Sequence, residues 1–272
     1  MNREATVTYI KQHGILPESK FGQNFLCDEK VIASIIESAG IRPGDRVLEI
    51  GPGIGALTRQ LTKLDISLVC VEIDKRLAGL LRDDQEIDAE VIDQDYLKLK
   101  DYGAETFDVV ISNLPYYVMT DIMKKIFAEC VNAGKMVYMV EEDALERITA
   151  SPRTKQYGPL SVLCSIYGTV SVVTKVPGTC FVPAPRTTSA VICLDPAGNK
   201  ISRELVLFVD RCFAMRRKKL KASLKCYDTE AVDKAYEAQG FTDNVRAEEL
   251  EPEAFLRLYN DIINAKSQRG TL

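Results

Sequence analysis

The sequence predicts an α/β fold: a Rossmann-like, largely parallel sheet flanked by helices, followed by a small C-terminal domain that is entirely helical. Three observations carry the prediction. The apolar run Arg46–Ile50 ends in Gly51-Pro52-Gly53-Ile54-Gly55-Ala56, and a second apolar run, Ser67–Glu72, ends in an acid about 20 residues after the first glycine. A third run, Phe107–Ile111, stops abruptly at Asn113-Leu114-Pro115, as a buried strand does where it opens into a loop. Beyond Asp195-Pro196-Ala197-Gly198-Asn199, the best linker in the chain, every apolar pattern has helical spacing. A chain of 272 residues accommodates one large and one small domain, here expected at 1–196 and 197–272.

Composition removes several classes of function. Apolar content of 46% and charged content of 27% are those of an ordinary globular protein, and no apolar run approaches the roughly 18 residues of a membrane span. The start, Met1-Asn2-Arg3-Glu4-Ala5-Thr6, has no apolar segment behind its charge, so a cytoplasmic protein is expected. The eight cysteines are scattered without a C-x-x-C pair, several of them inside apolar runs, which predicts free thiols in a reducing compartment and no metal site. His13 is the only histidine, so triads built on histidine are excluded and the chemistry falls to amides, carboxylates, aromatics, backbone or a cofactor. The net charge of −4 argues mildly against nucleic acid, but Arg216, Arg217, Lys218, Lys219, Lys221 and Lys225 form a run without an acid, and the local field decides whether phosphate is attracted.

In order along the chain, Ala5–Gln12 reads as a short helix ended by Gly14, and Lys20–Asp28, which has no clean period, as a loop. Asp28 is an N-cap for an amphipathic helix carrying Val31, Ile32, Ile35 and Ile36. Arg46–Ile50, Ser67–Glu72, Ala89–Ile92, Phe107–Ile111 and Lys135–Val140 are the parallel strands, with a helix opening at the glycine turn and another over Met119–Glu129. Glu141-Glu142-Asp143 suits a helix start, where carboxylates meet the dipole. Pro152–Gly158 is a polar, basic loop and Leu160–Tyr167 an apolar helix. Val170–Lys175 and Ser189–Leu194 are strands joined by Phe181-Val182-Pro183-Ala184-Pro185-Arg186, a stiff connection that either presents Phe181 as an open platform or uses it as a core plug. Helices follow at Glu204–Ala214, Lys218–Cys226, Thr229–Gln239 and Pro252–Ala265.

The strand, glycine turn, helix, strand, acid order marks a cofactor-binding βαβ unit. Gly51-x-Gly53-x-x-Ala56 also satisfies a loose dinucleotide pattern, but Pro52 has no N–H and removes a donor that would cradle a pyrophosphate. Gly55, and Glu49 just before the turn, fit better with S-adenosylmethionine, which carries an amino-acid end and no phosphate. Glu72 would accept from both ribose hydroxyls, and Asp93 or, preferably, Asp95 from the adenine amine. At the second site Asn113 offers an acceptor and a donor, Pro115 fixes the turn, and Tyr116 offers a flat face. These are the tools for holding a planar base with an exocyclic amine.

Together these residues resemble the ribosomal RNA adenine dimethyltransferases of the KsgA type, a group of class I S-adenosylmethionine-dependent methyltransferases. The matching stretches are Phe21-Gly22-Gln23-Asn24-Phe25-Leu26, Leu48-Glu49-Ile50-Gly51-Pro52-Gly53, Val71-Glu72-Ile73-Asp74, Asn113-Leu114-Pro115-Tyr116-Tyr117, Tyr157–Val162, Phe181-x-Pro183-x-Pro185 and Arg216-Arg217-Lys218, in that order over nearly the whole chain. Departures are small: Cys27 stands where a polar or basic residue is common, Arg186-Thr187 replaces Lys-Val, and Tyr117 fills a variable position. The resemblance implies methyl transfer to two adjacent adenosines near the 3′ end of small-subunit rRNA within an assembling pre-30S particle. It implies cofactor contacts at Asn24, Leu26, Gly51, Glu72, Asp95 and Asn113, to which the glycine pattern adds Gly53. Residues 1–28 are then expected to cover cofactor and substrate, and the protein to act as a monomer.

In that setting the Asn113 side-chain oxygen and the Leu114 carbonyl would hold the amine hydrogens while Tyr116 and Phe181 stack on the flipped adenine. Arg216, Arg217, Lys218, Lys219 and Lys221 are the expected phosphate contacts. Two other readings compete. One is an Erm-type methyltransferase of large-subunit rRNA, against which stand Leu114, Pro52 and the Tyr157–Val162 stretch. The other is a small-subunit assembly factor in which binding outweighs catalysis. An oxidoreductase is disfavoured by Pro52 and by the absence of hydride-site residues.

Overall fold

The strands form where β-branched and apolar residues run together, and their order places the site. The computed structural model describes residues 1–18, 21–113, 118–216 and 218–269. Among these lie nine strands: β1 (Phe25–Leu26), β2 (Arg46–Ile50), β3 (Ser67–Glu72), β4 (Glu90–Asp93), β5 (Val109–Asn113), β6 (Lys135–Glu141), β7 (Gly168–Val176), β8 (Phe181–Val182) and β9 (Ser189–Pro196). Seven of them make one sheet in the order β4-β3-β2-β5-β6-β9-β7. The first five in that order are parallel neighbours, and β9 runs antiparallel to β6. The central strands are buried on both faces, hence their continuous rather than alternating apolar character.

β1 and β8 form a separate antiparallel ribbon with Phe25 opposite Val182 and Leu26 opposite Phe181. The Cys27 amide continues it by donating to Cys180 O at 2.8 Å. Arg3, from the first helix (Arg3–Gln12), donates to Thr179 O and Phe181 O, both at 2.9 Å. The stretch read as a loop thus contains a short strand. Its partner lies some 150 residues away, and local sequence carries no signal for such a pairing.

One helix starts at its expected cap. Asp28 Oδ1 accepts from the amides of Lys30 and Val31 at the start of Glu29–Ala39, and Gly40 closes that helix in a left-handed conformation. The helix after the glycine turn is delayed to Thr58–Leu61, because the glycines before it hold positive φ values that a right-handed helix cannot include. The expected helix Lys218–Cys226 shrinks to Leu220–Ser223, whose first amide, that of Leu220, donates to Val245 O at 2.9 Å.

Contacts divide the chain into two units, Met1–Leu145 with Val170–Pro196, and Glu146–Thr169 with Ala197–Leu272. The expected division at 196/197 therefore misses an excursion. The helix Pro159–Tyr167 buries Leu160, Val162, Leu163, Cys164 and Ile166, is apolar nearly all round, and packs against Arg203–Phe213 and Pro252–Arg269 of the second unit. A helix without a polar face needs cover on several sides, which the helical unit provides. No helix among the described residues is long and apolar enough to cross a membrane, and all eight cysteines are free thiols, seven of them buried.

Candidate active site

The strand order reverses at β2, with β3 and β4 on one side and β5 and β6 on the other. In open α/β sheets the ligand crevice lies at the carboxyl ends of the strands beside such a reversal. A cleft opens there, in the first unit, and six of the residues expected to hold a cofactor line it: Asn24, Leu26, Gly51, Gly53, Glu72 and Asn113.

Each is placed by its element. Gly51 and Gly53 follow β2 at φ +73° and +60°, backbone that side chains rarely tolerate. A Cβ on Gly53 would stand 3.3 Å from the Phe25 ring of β1, so the turn also needs glycine for the close approach of the N-terminal segment. Glu72 ends β3, almost fully buried; its Oε2 accepts from the Gly53 amide and its Oε1 from the Asp74 amide, both at 2.9 Å. Burial raises the Glu72 carboxyl above its ordinary value. The Ile73 amide also acts on this carboxylate, and with about four lone-pair sites it retains acceptor capacity for a further donor. Asn113 is the last residue of β5, opposite Met139 of β6, and the preceding Ser112 donates to Ile50 O at 2.7 Å, tying β5 to the start of the glycine turn.

The N-terminal segment is fastened over this edge. Gln23 Nε2 donates to Asp74 Oδ2 at 2.9 Å, its Oε1 accepts from the Glu18 amide at 2.8 Å, and Arg76 bridges Asp74 and Glu18. Burial raises the Asp74 carboxyl, but its bonds from Arg76 and Gln23 outweigh that and hold it below the usual carboxylate range. Arg59 donates to Ile54 O at 2.7 Å and Gly55 O at 3.1 Å, bracing the turn's far side.

Glu49, in mid-β2, is only 3% exposed and lines the same cleft. Burial pushes its carboxyl up to about 7, and the charge of Glu72 acts in the same direction. Cys70 Sγ, across the β2–β3 pair, lies 3.6 Å from Glu49 Oε2. Sequence reasoning used Glu49 only as a neighbour of the turn; an acid in an otherwise apolar strand was the available signal of a titrating group. The brace of Gln23, Asp74 and Arg76 it did not identify.

Other expected residues fall elsewhere. Asp95 is not among the lining residues: it caps the turn Tyr96–Lys98, its Oδ1 accepting from the Leu97 amide at 3.0 Å, with Lys98 Nζ 3.7 Å from Oδ2. At this sheet edge the carboxylate atom buried without a partner is Asp93 Oδ1. Phe181 is not an open platform. It is 1% exposed and belongs to the core cluster with Leu26 and Val176, the plug alternative for an aromatic in a stiff loop. Leu114, Pro115, Tyr116 and Tyr117 lie outside the described residues, as does Arg217. In the helical unit Lys218 and Lys219 are exposed, whereas Arg216 and Lys221 are drawn into ion pairs, with Glu248 at 2.9 Å and with Asp233 at 2.8 Å and Asp243 at 2.5 Å.

The cleft fits S-adenosylmethionine by its donor set. Two buried carboxylates and no basic side chain are among its described lining residues, which suits a ligand with positive charge and a diol. A pyrophosphate would find neither a cation nor, at Pro52, an amide. Apolar Ile73 and Leu77 complete the wall where an adenine ring would lie against β3 and the helix after it.

A sequence model of the family described as ribosomal RNA adenine dimethylase matches residues 17–264. Relatives named ribosomal RNA small subunit methyltransferase A include that of Lactobacillus johnsonii, 34% identical with 93% of each chain covered. That of Deinococcus radiodurans is 36% identical, over 89% of this chain and 84% of the other. Among solved structures, a dimethyladenosine transferase from Plasmodium falciparum shares the fold, with TM-score 0.68 at 22% identity over 90% of this chain and 98% of that one. The 23S rRNA methyltransferase ErmE gives TM-score 0.59 at 27% identity, over 88% and 100%.

Proposed function

Since the chain belongs to the ribosomal RNA adenine dimethylase family, we propose from that premise how its own residues dimethylate adenosines of small-subunit rRNA. It is an S-adenosylmethionine-dependent rRNA adenine methyltransferase. The observation that carries the residue-level reading is the meeting of Asn113 with the glycine turn and Glu72 on one cleft.

When bound, S-adenosylmethionine supplies an electrophilic sulfonium methyl group. Gly51 and Gly53 leave the turn bare enough for close approach, and Glu72 offers free lone pairs to the ribose hydroxyls. Asp93 or Asp95, at the end of β4, accepts from the adenine of the cofactor. An exocyclic amine is a weak nucleophile because its lone pair is delocalised into the ring. Asn113 accepts one amine hydrogen through its side-chain oxygen and Leu114 accepts the other through its carbonyl, so that the nitrogen becomes more tetrahedral and its lone pair is directed outward. Tyr116 stacks on the flipped substrate base. Phe181 supports this site from the core, through the ribbon that carries Leu26, instead of through an open stacking face. With a reactive methyl donor, positioning supplies much of the rate and no histidine or strong base is required. The helical unit meets the rRNA, the partner is the assembling pre-30S particle in the cytoplasm, and the enzyme acts as a monomer.

The test is to incubate the protein with methyl-labelled S-adenosylmethionine and either unmethylated small subunits or large-subunit RNA, then map the label. Dimethyladenosine in the 3′-terminal region of the small-subunit RNA is the expected result. Label confined to large-subunit RNA would overturn the substrate assignment, and binding to small subunits without label would overturn catalysis as the primary role.

A further inference from the structure

Two basic stretches about 60 residues apart are joined within the helical unit by a closed set of bonds. Arg216 Nη2 donates to Thr154 O at 3.0 Å, Arg216 Nε donates to Glu248 Oε2 at 2.9 Å, and the Glu248 main-chain oxygen accepts from the Arg153 amide at 2.7 Å. Glu248 therefore grips both stretches, one through its carboxylate and the other through its carbonyl. Tyr157 anchors the loop from beneath: its ring is buried edge-on to Phe213 at 5.8 Å and its hydroxyl donates to Leu250 O at 2.7 Å. Arg153 is held at φ +68°, a left-handed backbone that costs a side-chain-bearing residue energy and persists only where surrounding bonds fix it.

The effect is to set four side chains outward. Arg153, Lys155, Lys218 and Lys219 are all exposed, and among the described residues none of them is paired with a carboxylate. Two acids of the unit are engaged by the neighbouring cations, Glu248 by Arg216 and Asp243 by Lys221. Lys221 also lies over the Tyr236 ring, 4.9 Å from its centroid, and so points into the unit. On a chain with a net charge of −4, four exposed cations outside any ion pair, on two stretches tied together, concentrate positive charge locally, although Lys219 also acts on the Asp243 carboxylate.

We propose that Arg153, Lys155, Lys218 and Lys219 form one phosphate-binding surface for the RNA substrate, and that Arg216 and Glu248 are the brace that holds its halves together. Arg216 is thus a positioning residue and not a phosphate ligand. The proposal rests on the RNA-substrate reading given above and adds the loop 151–157 to it. Exposed lysines and arginines bind phosphate by displacing counterions, so each true contact registers in the salt dependence of affinity.

The experiment measures binding of the full-length protein to unmethylated small-subunit RNA by fluorescence anisotropy at several salt concentrations, with thermal melting to confirm that each variant folds. Arg153→Gln with Lys155→Gln should lower affinity and reduce the slope of log affinity against log salt by roughly 1.5–2. Lys218→Gln with Lys219→Gln should do the same. The brace is tested by Arg216→Lys, which keeps the charge but cannot span Thr154 and Glu248 as the guanidinium fork does, and by Glu248→Ala, which removes a negative charge. Both should weaken binding. Tighter binding in Glu248→Ala, as simple charge removal predicts, together with unchanged binding in Arg216→Lys, would overturn the brace. An unchanged salt slope in the Arg153/Lys155 variant, with wild-type binding intact, would overturn the composite surface. Failure of the wild-type protein to bind RNA at all would instead overturn the RNA-substrate reading.

Discussion

Replacing Glu49 by glutamine tests the electrostatics of the cleft directly. In the empty protein the Glu49 carboxyl titrates near 7, against an ordinary 4.5, because burial withholds water from its charge. Below pH 4.5 the group is neutral folded and unfolded alike, and its contribution is fully present. As pH rises toward 7 the unfolded chain ionises while the folded one retains its proton, so stability is progressively lost; above 7 the loss is complete. The gap between the two values corresponds to roughly 3 kcal/mol. Glu49→Gln cannot ionise, so it should match the wild type near pH 4.5 and exceed it by up to about 3 kcal/mol at pH 8. Urea unfolding of the empty protein across that range reads the difference, in which the contribution of Glu72 cancels to first order. A positively charged methyl donor favours the ionised carboxylate, so its binding near pH 6.5 should release a proton. Calorimetry in buffers of different ionisation enthalpy detects that release in the wild type, and it should be smaller in the variant. Parallel stability curves for the two proteins, together with equal proton release, would refute the reasoning.

Three further substitutions follow from the same geometry. Gly53→Ala places a Cβ 3.3 Å from the Phe25 ring on a backbone at φ +60°, and should lower the melting temperature and weaken cofactor binding, at a cost of about 1–2 kcal/mol for the backbone alone. Glu72→Ala strands the amides of Gly53 and Asp74 and removes the diol acceptor; cofactor affinity should fall at least tenfold by calorimetry, in line with the roughly 1.5–3 kcal/mol of a hydrogen bond to a charged group. Asn113→Ala should nearly abolish single-turnover methyl transfer while the cofactor still binds, and a near-normal rate would remove Asn113 from the reaction.

The parallel sheet was legible because its strands are buried on both faces, so their apolar runs are continuous and end at turn residues. Asp28 starts its helix by local chemistry, which a sequence displays. Part of the cleft's lining was legible for a similar reason, since Gly51, Gly53 and Glu72 occupy fixed positions on one βαβ unit. Long-range features were not. Nothing near Phe25 announces Val182 as its partner, and nothing near Pro159 announces that its helix packs with chain beyond Ala197. Phe181 allowed two readings, and burial against Leu26 places it in the core. Charge was the least legible: Arg216 and Lys221 sit in one basic run with Lys218 and Lys219, and only folding reveals that Glu248, Asp233 and Asp243 have claimed the first two.

The ribbon of β1 and β8 makes the cleft a late product of biosynthesis. Leu26 must wait for Phe181 before it has a strand to pair with. At roughly 5–20 residues per second, translation leaves that partner unmade for some 8–30 seconds after Leu26 is added. Throughout that interval the nascent chain already carries the glycine turn, Glu72 and the Ile15, Ile54 and Leu77 side chains that Phe25 packs with, but Phe25 and Leu26 have no strand to pair with. Fragments ending before Cys180 should therefore hold their N-terminal wall through the Gln23, Asp74 and Arg76 bonds and the Phe25 packing alone, without strand pairing at Phe25 and Leu26. A search for a minimal methyl-donor-binding fragment would have to retain the ribbon, or join its two short strands by circular permutation.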